Sequence, residues 1–221
     1  YLQKPSFDKF LQYQKAATGR IKIVTVAPEL SGAIDFIVEA TTAKVNVSLG
    51  HSGADGETVF KALKAGANSF THWGNAMAPL DRHNLNVVGA GMLSSAYCEV
   101  ICDGKHVDKD VLRLLVKTKG IDKVVGITDS IMATGLADGQ YKLGVNDVTV
   151  KDGDAKITGT DIRAGSTLDA YQGLANAVTF TGLPLAEAIK IWTVNPAKRI
   201  GMLDRLGTIE LGKDADFIIF G

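Results

Sequence analysis

The sequence predicts an α/β fold built on a parallel sheet. Short apolar runs recur between Ile21 and Thr128, and they are apolar on both faces, as strands buried in a parallel sheet are. Segments with helical spacing separate them, and strand–helix–strand alternation is the mark of a parallel α/β architecture. Four runs also close on a histidine or a carboxylate: Val24-Thr-Val-Ala-Pro-Glu29, Val47-Ser-Leu-Gly-His51, Asn68-Ser-Phe-Thr-His72 and Val124-Val-Gly-Ile-Thr-Asp129. Side chains from the ends of several parallel strands converge at a sheet edge or a barrel mouth, where sites form.

The predicted strands are 21–26, 45–49, 68–71, 97–101 and 123–128. Between them, 31–42 carries Ile34, Ile37 and Val38 at helical spacing, 55–65 carries Val59, Phe60, Ala62 and Leu63, and 108–119 carries Val111, Leu112, Leu114 and Leu115. Asp55 stands where the second of these helices would take its N-cap. After Asp129 the texture changes. Short strands are expected at 140–143, 148–151 and 155–158, with turns at Asn146-Asp147 and Asp152-Gly153-Asp154. Helices follow at 167–181 and 184–193, the first closed by Gly182 and the second opened by Pro184. Two closing strands are expected at 207–212 and 215–220. A (β/α)₈ barrel needs eight alternating strands and typically about 250 residues. Five such strands in 221 residues make either a smaller open sheet or the later part of a barrel.

The residue types at the strand ends suit metal-assisted hydrolysis. One carboxylate and two imidazoles, Glu29, His51 and His72, can hold a divalent ion while leaving positions open. Glu29 alone reads equally as an acid at a helix N-terminus, and a single histidine in Gly50-His-Ser-Gly53 reads as structural. Two histidines at equivalent positions, one β–α unit apart, are harder to attribute to coincidence. Asp129 is the best general acid/base: a carboxylate beside an activated water accepts its proton and later delivers it to a leaving amine. Its alternative role is a helix or turn cap. His106, in Asp103-Gly-Lys-His106, orients substrate or sits on a surface loop. His83 reads as an exposed loop residue, whereas the neighbouring Arg82 has the guanidinium that suits phosphate.

Composition excludes other classes. Formal charge is zero, so no general attraction to nucleic acid or membrane is expected, and no run approaches the roughly 20 apolar residues of a membrane helix. Cys98 and Cys102 would lie on one face of a strand about 13 Å apart, too far for a mutual disulfide. Buried free thiols, and no charged-then-apolar leader, lead us to expect a cytoplasmic protein. Cys102 as a metal ligand is the minor alternative.

Several segments together resemble the N-acetylglucosamine-6-phosphate deacetylase family of amidohydrolases. They are Val-Thr-Val-Ala-Pro-Glu29, Gly-His51-Ser, Thr-His72-Trp-Gly-Asn-Ala-Met-Ala-Pro79, Cys-Asp-Gly-Lys-His106-Val, Ile-Thr-Asp129-Ser and Arg-Ala-Gly-Ser-Thr167. The ending, with Asn195-Pro-Ala-Lys-Arg-Ile-Gly201 and Gly207-Thr-Ile-Glu-Leu-Gly-Lys-Asp-Ala-Asp216, belongs to the wider superfamily. The resemblance implies a metal-dependent barrel hydrolase that removes the acetyl group from a phosphorylated amino sugar. Glu29, His51 and His72 match the metal ligands, zinc or iron being the expected ion, and Asp129 matches the catalytic acid/base. Asn75 and Ala76 match a substrate-contacting pair. Asp103, Gly104 and His106 match the sugar-holding loop, and Ala164 and Gly165 are carried over as substrate contacts. Arg82 matches an arginine that meets the phosphate, supplied in the family by a neighbouring subunit, so a homodimer is implied.

The chain departs from the pattern at Trp73 and Gly74, and at Arg163 where a leucine is common. The family's His-x-His and His-Leu-Glu-Gly-Pro segments, which lie upstream of the Glu29 equivalent, are absent. The expected architecture is therefore a partial (β/α)₈ barrel, about strands four to eight, over 1–203 with a β-hairpin insertion near 140–158. Residues 204–221 are the expected remnant of a small β-sandwich domain. Two rivals remain at this point: another amidohydrolase of the dihydroorotase or deaminase kind, and an inactive fragment serving as a binding or assembly module.

Overall fold

The structure, a computed structural model, describes residues 3–219. A parallel sheet runs in chain order through β1 (Ile23–Val26), β2 (Asn46–Leu49), β3 (Ser69–Phe70), β4 (Tyr97–Ile101) and β5 (Val124–Ile127). The registers Val26↔Leu49 and Leu49↔Phe70 bring the strand ends of β1, β2 and β3 level. Val47, Leu49, Phe70, Val100 and Val124 are fully buried, as double-faced strands require.

Helices connect the strands. They are α2 (Ala33–Thr42), α3 (Gly56–Ala65), α4 (Val87–Leu93) and α5 (Lys109–Lys119). Asp55 caps α3 by accepting from the Thr58 N–H, and Asp108 caps α5 through Asp110. Before the sheet, α1 (Phe7–Ala16) is capped by Ser6 and sets Phe7 and Phe10 against Phe36 of α2. Neither α1 nor α4 is among the elements expected from periodicity. Ser6 and Asn86 were the available cap signals.

A second, antiparallel sheet follows, β6 (Gly139–Leu143), β7 (Asn146–Lys151) and β8 (Asp154–Ile157), around its own small cluster of Ile131, Val148, Val150 and Ala155. Then come α6 (Ala170–Thr181), α7 (Leu185–Ala188) running into a 3-10 turn, and α8 (Val194–Arg199). The strand expected at 207–212 is not formed, nor is any strand over the described part of 215–220, whose Phe220 lies outside the described residues. A strand needs a ladder partner for its N–H and C=O groups. Among the described residues the segment is held locally, by the Asp214 N–H donating to the Arg205 carbonyl, by the Arg205–Asp214 ion pair and by Lys213, which donates to Thr208 and pairs with Glu210, leaving Ile209 93% exposed.

The Trp192 indole packs where two glycines make room. A Cβ on Gly173 would stand 2.5 Å from the ring, and one on Gly126 of β5 would also fall inside contact distance. A rigid indole cannot give way as a flexible side chain can. Gly126→Ala should therefore cost about 1–3 kcal/mol of stability, read as a lowered midpoint in urea unfolding. An unchanged midpoint would show that the indole has room to shift.

Candidate active site

Parallel register carries the sequence's chemical residues to one edge. Glu29 follows β1 after Ala27-Pro28, His51 follows β2 after Gly50, His72 follows β3 after Thr71, and Asp129 follows β5 after Thr128. Three of these leave their strands with left-handed backbones: φ is 51° at His51, 32° at His72 and 49° at Asp129. Ala76, in the turn after β3, has φ 47°. Non-glycine residues held there cost roughly 1–3 kcal/mol each and persist only where the surroundings over-determine them.

The two imidazoles converge. His51 Nε2 and His72 Nε2 are 2.9 Å apart, with ring centroids at 4.6 Å and planes at 79°. His72 is buried; His51 is more open as a residue, yet its imidazole is partly desolvated. That desolvation, with the neighbouring His72, pulls the His51 pKa below its ordinary value against an opposing pull from Asp129. Neutral imidazole is the form that ligates a metal. A neutral pair facing Nε2 to Nε2 can share only one hydrogen, and the buried Nδ1 of His72 has no hydrogen-bond partner among the described residues. Two imidazole nitrogens this close at neighbouring strand ends are a donor pair that suits a divalent ion in place of their shared hydrogen. The third expected donor is engaged elsewhere. The Glu29 carboxylate accepts from Ser52 Oγ at 2.7 Å and from the Gly53 N–H at 2.8 Å. Among the described residues, no three His, Cys, Asp or Glu side chains are grouped closely enough to hold an ion.

Asp129 is exposed and fixed through its main chain. Its carbonyl accepts from the Ser166 N–H at 2.7 Å, and the Ile131 N–H returns to the Ser166 carbonyl at 2.9 Å. Gly165, with φ 64°, makes this approach feasible, since a Cβ there would meet the Asp129 carbonyl at 2.8 Å. Ala164 is buried in the small cluster and bonds back to Ala155.

The loop after β4 is built around Asp103. Its carboxylate accepts from the N–H groups of Lys105 and His106, each at 2.8 Å, and pairs with His106 Nδ1 at 2.6 Å. Burial pushes the Asp103 pKa up, but the hydrogen bonds from His106 and Lys105 outweigh it and hold the carboxyl below its ordinary value. His106 is thus a fixed ring rather than a loose surface histidine, with Nε2 left for a ligand. Gly104 has φ 71° in this turn. Lys105 Nζ donates to the Asp152 carbonyl at 2.7 Å, tying the loop to the β7–β8 turn.

Asn75 closes the turn after His72 by donating from Nδ2 to the His72 carbonyl at 3.3 Å. Arg82 stands exposed at a cleft of about 550 Å³ that Pro79, Asp81, His83 and Asn86 also line. No contact joins it to the two histidines among the described residues. Cys98 and Cys102 are free and buried, and burial pushes both thiols up to about 12, so they stay protonated and inert. Sequence reasoning passed over Glu99 and Arg199, a buried ion pair beside His72. Glu99 is the one charged residue of β4, and that was its signal.

Strand ends of a parallel sheet that present paired imidazoles beside a carboxylate define a protein of polar strand-edge chemistry, the class that includes metal-assisted hydrolases. The model of the amidohydrolase family matches residues 4–221, and the chain belongs to that family. It is 34% identical over 220 residues to N-acetylglucosamine-6-phosphate deacetylase of Bacillus subtilis, covering 99% of this chain and 55% of the relative. With the enzyme of that name from Vibrio furnissii it shares 37% over 196 residues, 88% of this chain and 49% of the relative. The structure of an aspartate-to-alanine mutant of N-acetyl-D-glucosamine-6-phosphate deacetylase from Mycobacterium smegmatis, in complex with N-acetyl-D-glucosamine-6-phosphate, superposes with a TM-score of 0.92. There the identity is 36%, over 97% of this chain and 57% of that one. The chain spans about half the length of the curated relatives it matches.

Proposed function

We propose that the chain is the C-terminal portion of a metal-dependent deacetylase that converts N-acetylglucosamine-6-phosphate to glucosamine-6-phosphate and acetate. The observation that carries this reading is the convergence of His51 Nε2 and His72 Nε2 at the edge of a family-typical sheet. The names and the substrate complex of the similar proteins support the substrate. The sheet, in this reading, is the arc of strands four to eight of a (β/α)₈ barrel over 1–203, and 204–221 is the remnant of a β-sandwich domain.

His51 and His72 would hold zinc or iron, with Glu29 as third donor once its carboxylate exchanges the Ser52 and Gly53 bonds for the ion, which would supply Lewis acidity at the acetyl carbonyl and lower the pKa of water. Asp129 takes the proton of the attacking water. As the C–N bond breaks, it returns that proton to the departing amine, leaving acetate and the amino sugar. Asp103 fixes the His106 ring to meet the sugar, and Asn75, Ala76, Ala164 and Gly165 shape the walls. Arg82 meets the phosphate, within a cytoplasmic homodimer. A second reading, an assembly module without turnover of its own, draws on the exposed apolar side chains of Ile209, Leu211 and Ile218.

The test is acetate release. With zinc or iron and any further segment needed for turnover supplied, the chain should yield acetate and free amine in equal amounts from N-acetylglucosamine-6-phosphate. Metal binding without any acetate would favour the module. The phosphorylated sugar should also be preferred over N-acetylglucosamine by about ten- to a hundredfold in kcat/KM, the worth of a charge-assisted contact kept in the transition state. Arg82→Ala should shrink that preference and spare the slow hydrolysis of the neutral sugar. Equal loss on both substrates would mean that Arg82 supports its loop or a subunit interface instead.

A further inference from the structure

His72 sits at the end of the shortest strand in the sheet. β3 has two residues, so its ladder gives little purchase on a residue that leaves it with φ 32°. A ligating histidine is ordinarily oriented by a hydrogen bond from its second ring nitrogen. Here that nitrogen, Nδ1, is buried without a partner among the described residues, so the ring's direction depends on how its backbone is held.

The backbone is held by a buried ion pair. The His72 N–H donates to Glu99 Oε2 at 3.3 Å, and the next N–H, of Trp73, donates to the Glu99 carbonyl at 2.8 Å. Glu99 Oε1 is paired with the Arg199 guanidinium, whose second amino group donates to Ser69 Oγ at 2.7 Å. Ser69 opens β3 and His72 follows it, so the Glu99–Arg199 pair grips the strand at both ends. Arg199 reaches there from α8, the end of the Asn195-Pro-Ala-Lys-Arg199 segment. The Arg199 side chain is 3% exposed and that of Glu99 10%.

Stability alone does not account for such a pair. Buried ion pairs can commonly be exchanged for apolar residues of similar volume without loss of stability, and this one leaves Arg199 Nε buried and without a partner among the described residues. What an apolar pair cannot supply is a charged acceptor for the His72 N–H and a donor for Ser69. We infer that Glu99 and Arg199 are positioning residues that fix His72 in its ion-facing orientation, an inference that rests on the metal-binding reading proposed above.

The experiment measures zinc affinity per folded molecule by chelator competition in the full chain, alongside the thermal midpoint. The variants are Glu99→Leu with Arg199→Met, Glu99→Gln with Arg199→Met, and His72→Ala. The apolar double variant should fold with a midpoint near the parent's while losing about 10–100-fold in zinc affinity, the range for removing an outer partner of a ligand. The glutamine double variant restores an acceptor for the His72 N–H and should recover part of that loss. Parental affinity in both double variants, with affinity lost in His72→Ala, would overturn the positioning role and leave the metal reading intact. Parental affinity in His72→Ala, or no zinc binding by the parent, would remove the metal reading and this inference with it. Failure of both double variants to fold would make the pair a structural support, and the positioning role would be wrong.

Discussion

Replacing His72 with alanine should strip most of the bound divalent ion from the chain. The two Nε2 atoms stand 2.9 Å apart, and among the described residues no larger group of donors is assembled around them. One imidazole cannot do the work of two. The loss should exceed the roughly 10–100-fold seen when only an outer partner of a ligand is removed. Alanine keeps the backbone demand at φ 32°, so a parallel His72→Gly variant separates strain from ligation. Glycine relieves the strain and still lacks the ring. Both variants should lose the ion, as read by metal content after gel filtration. Unchanged stoichiometry in either folded variant would count against the site.

The second large effect is expected at Asp129. Asp129→Asn should lower deacetylation about 10²–10⁴-fold, the worth of general acid–base catalysis, because an amide cannot carry the proton from water to amine. Metal content should stay close to parental. The substitution suits the fold: asparagine tolerates the left-handed backbone at φ 49°, and the bond from Ser166 is made to the main-chain carbonyl, not the side chain. The measurement is single-turnover acetate release by metal-loaded protein, with any further segment needed for turnover supplied. Near-normal turnover would mean that another group moves the proton.

The sheet was legible because its strands are apolar on both faces and helical spacing separates most of them, with an acidic cap opening α3 and α5. Asp55 is the cap expected of it, Asp108 caps the helix expected to open there, and β4 spans the expected 97–101. The short helices α4 and α8 escaped because a turn or two of Gly, Ala and Val, or a segment holding Pro196, shows little periodicity. The closing strands were misread for a different reason. Gly207-Thr-Ile-Glu-Leu-Gly212 has strand chemistry, but strand formation is decided by a partner, and local residues carry no information about one. The strand-end residues of the site could be listed from the sequence because parallel register fixes where strand ends go. Their hydrogen bonds could not. That Ser52 and Gly53 take the Glu29 carboxylate, and that Asp103 fixes His106, depend on loop turns that no spacing rule specifies. Glu99 and Arg199 were out of reach as a pair, being 100 residues apart in the chain.

X-ray absorption at the zinc edge of the zinc-loaded chain addresses the central claim, that His51 and His72 together hold the ion. Two imidazoles should appear in the first coordination shell of the parent, falling to one in His72→Ala if any zinc remains. A shell of oxygen alone, or one containing sulfur from Cys98 or Cys102, would contradict it.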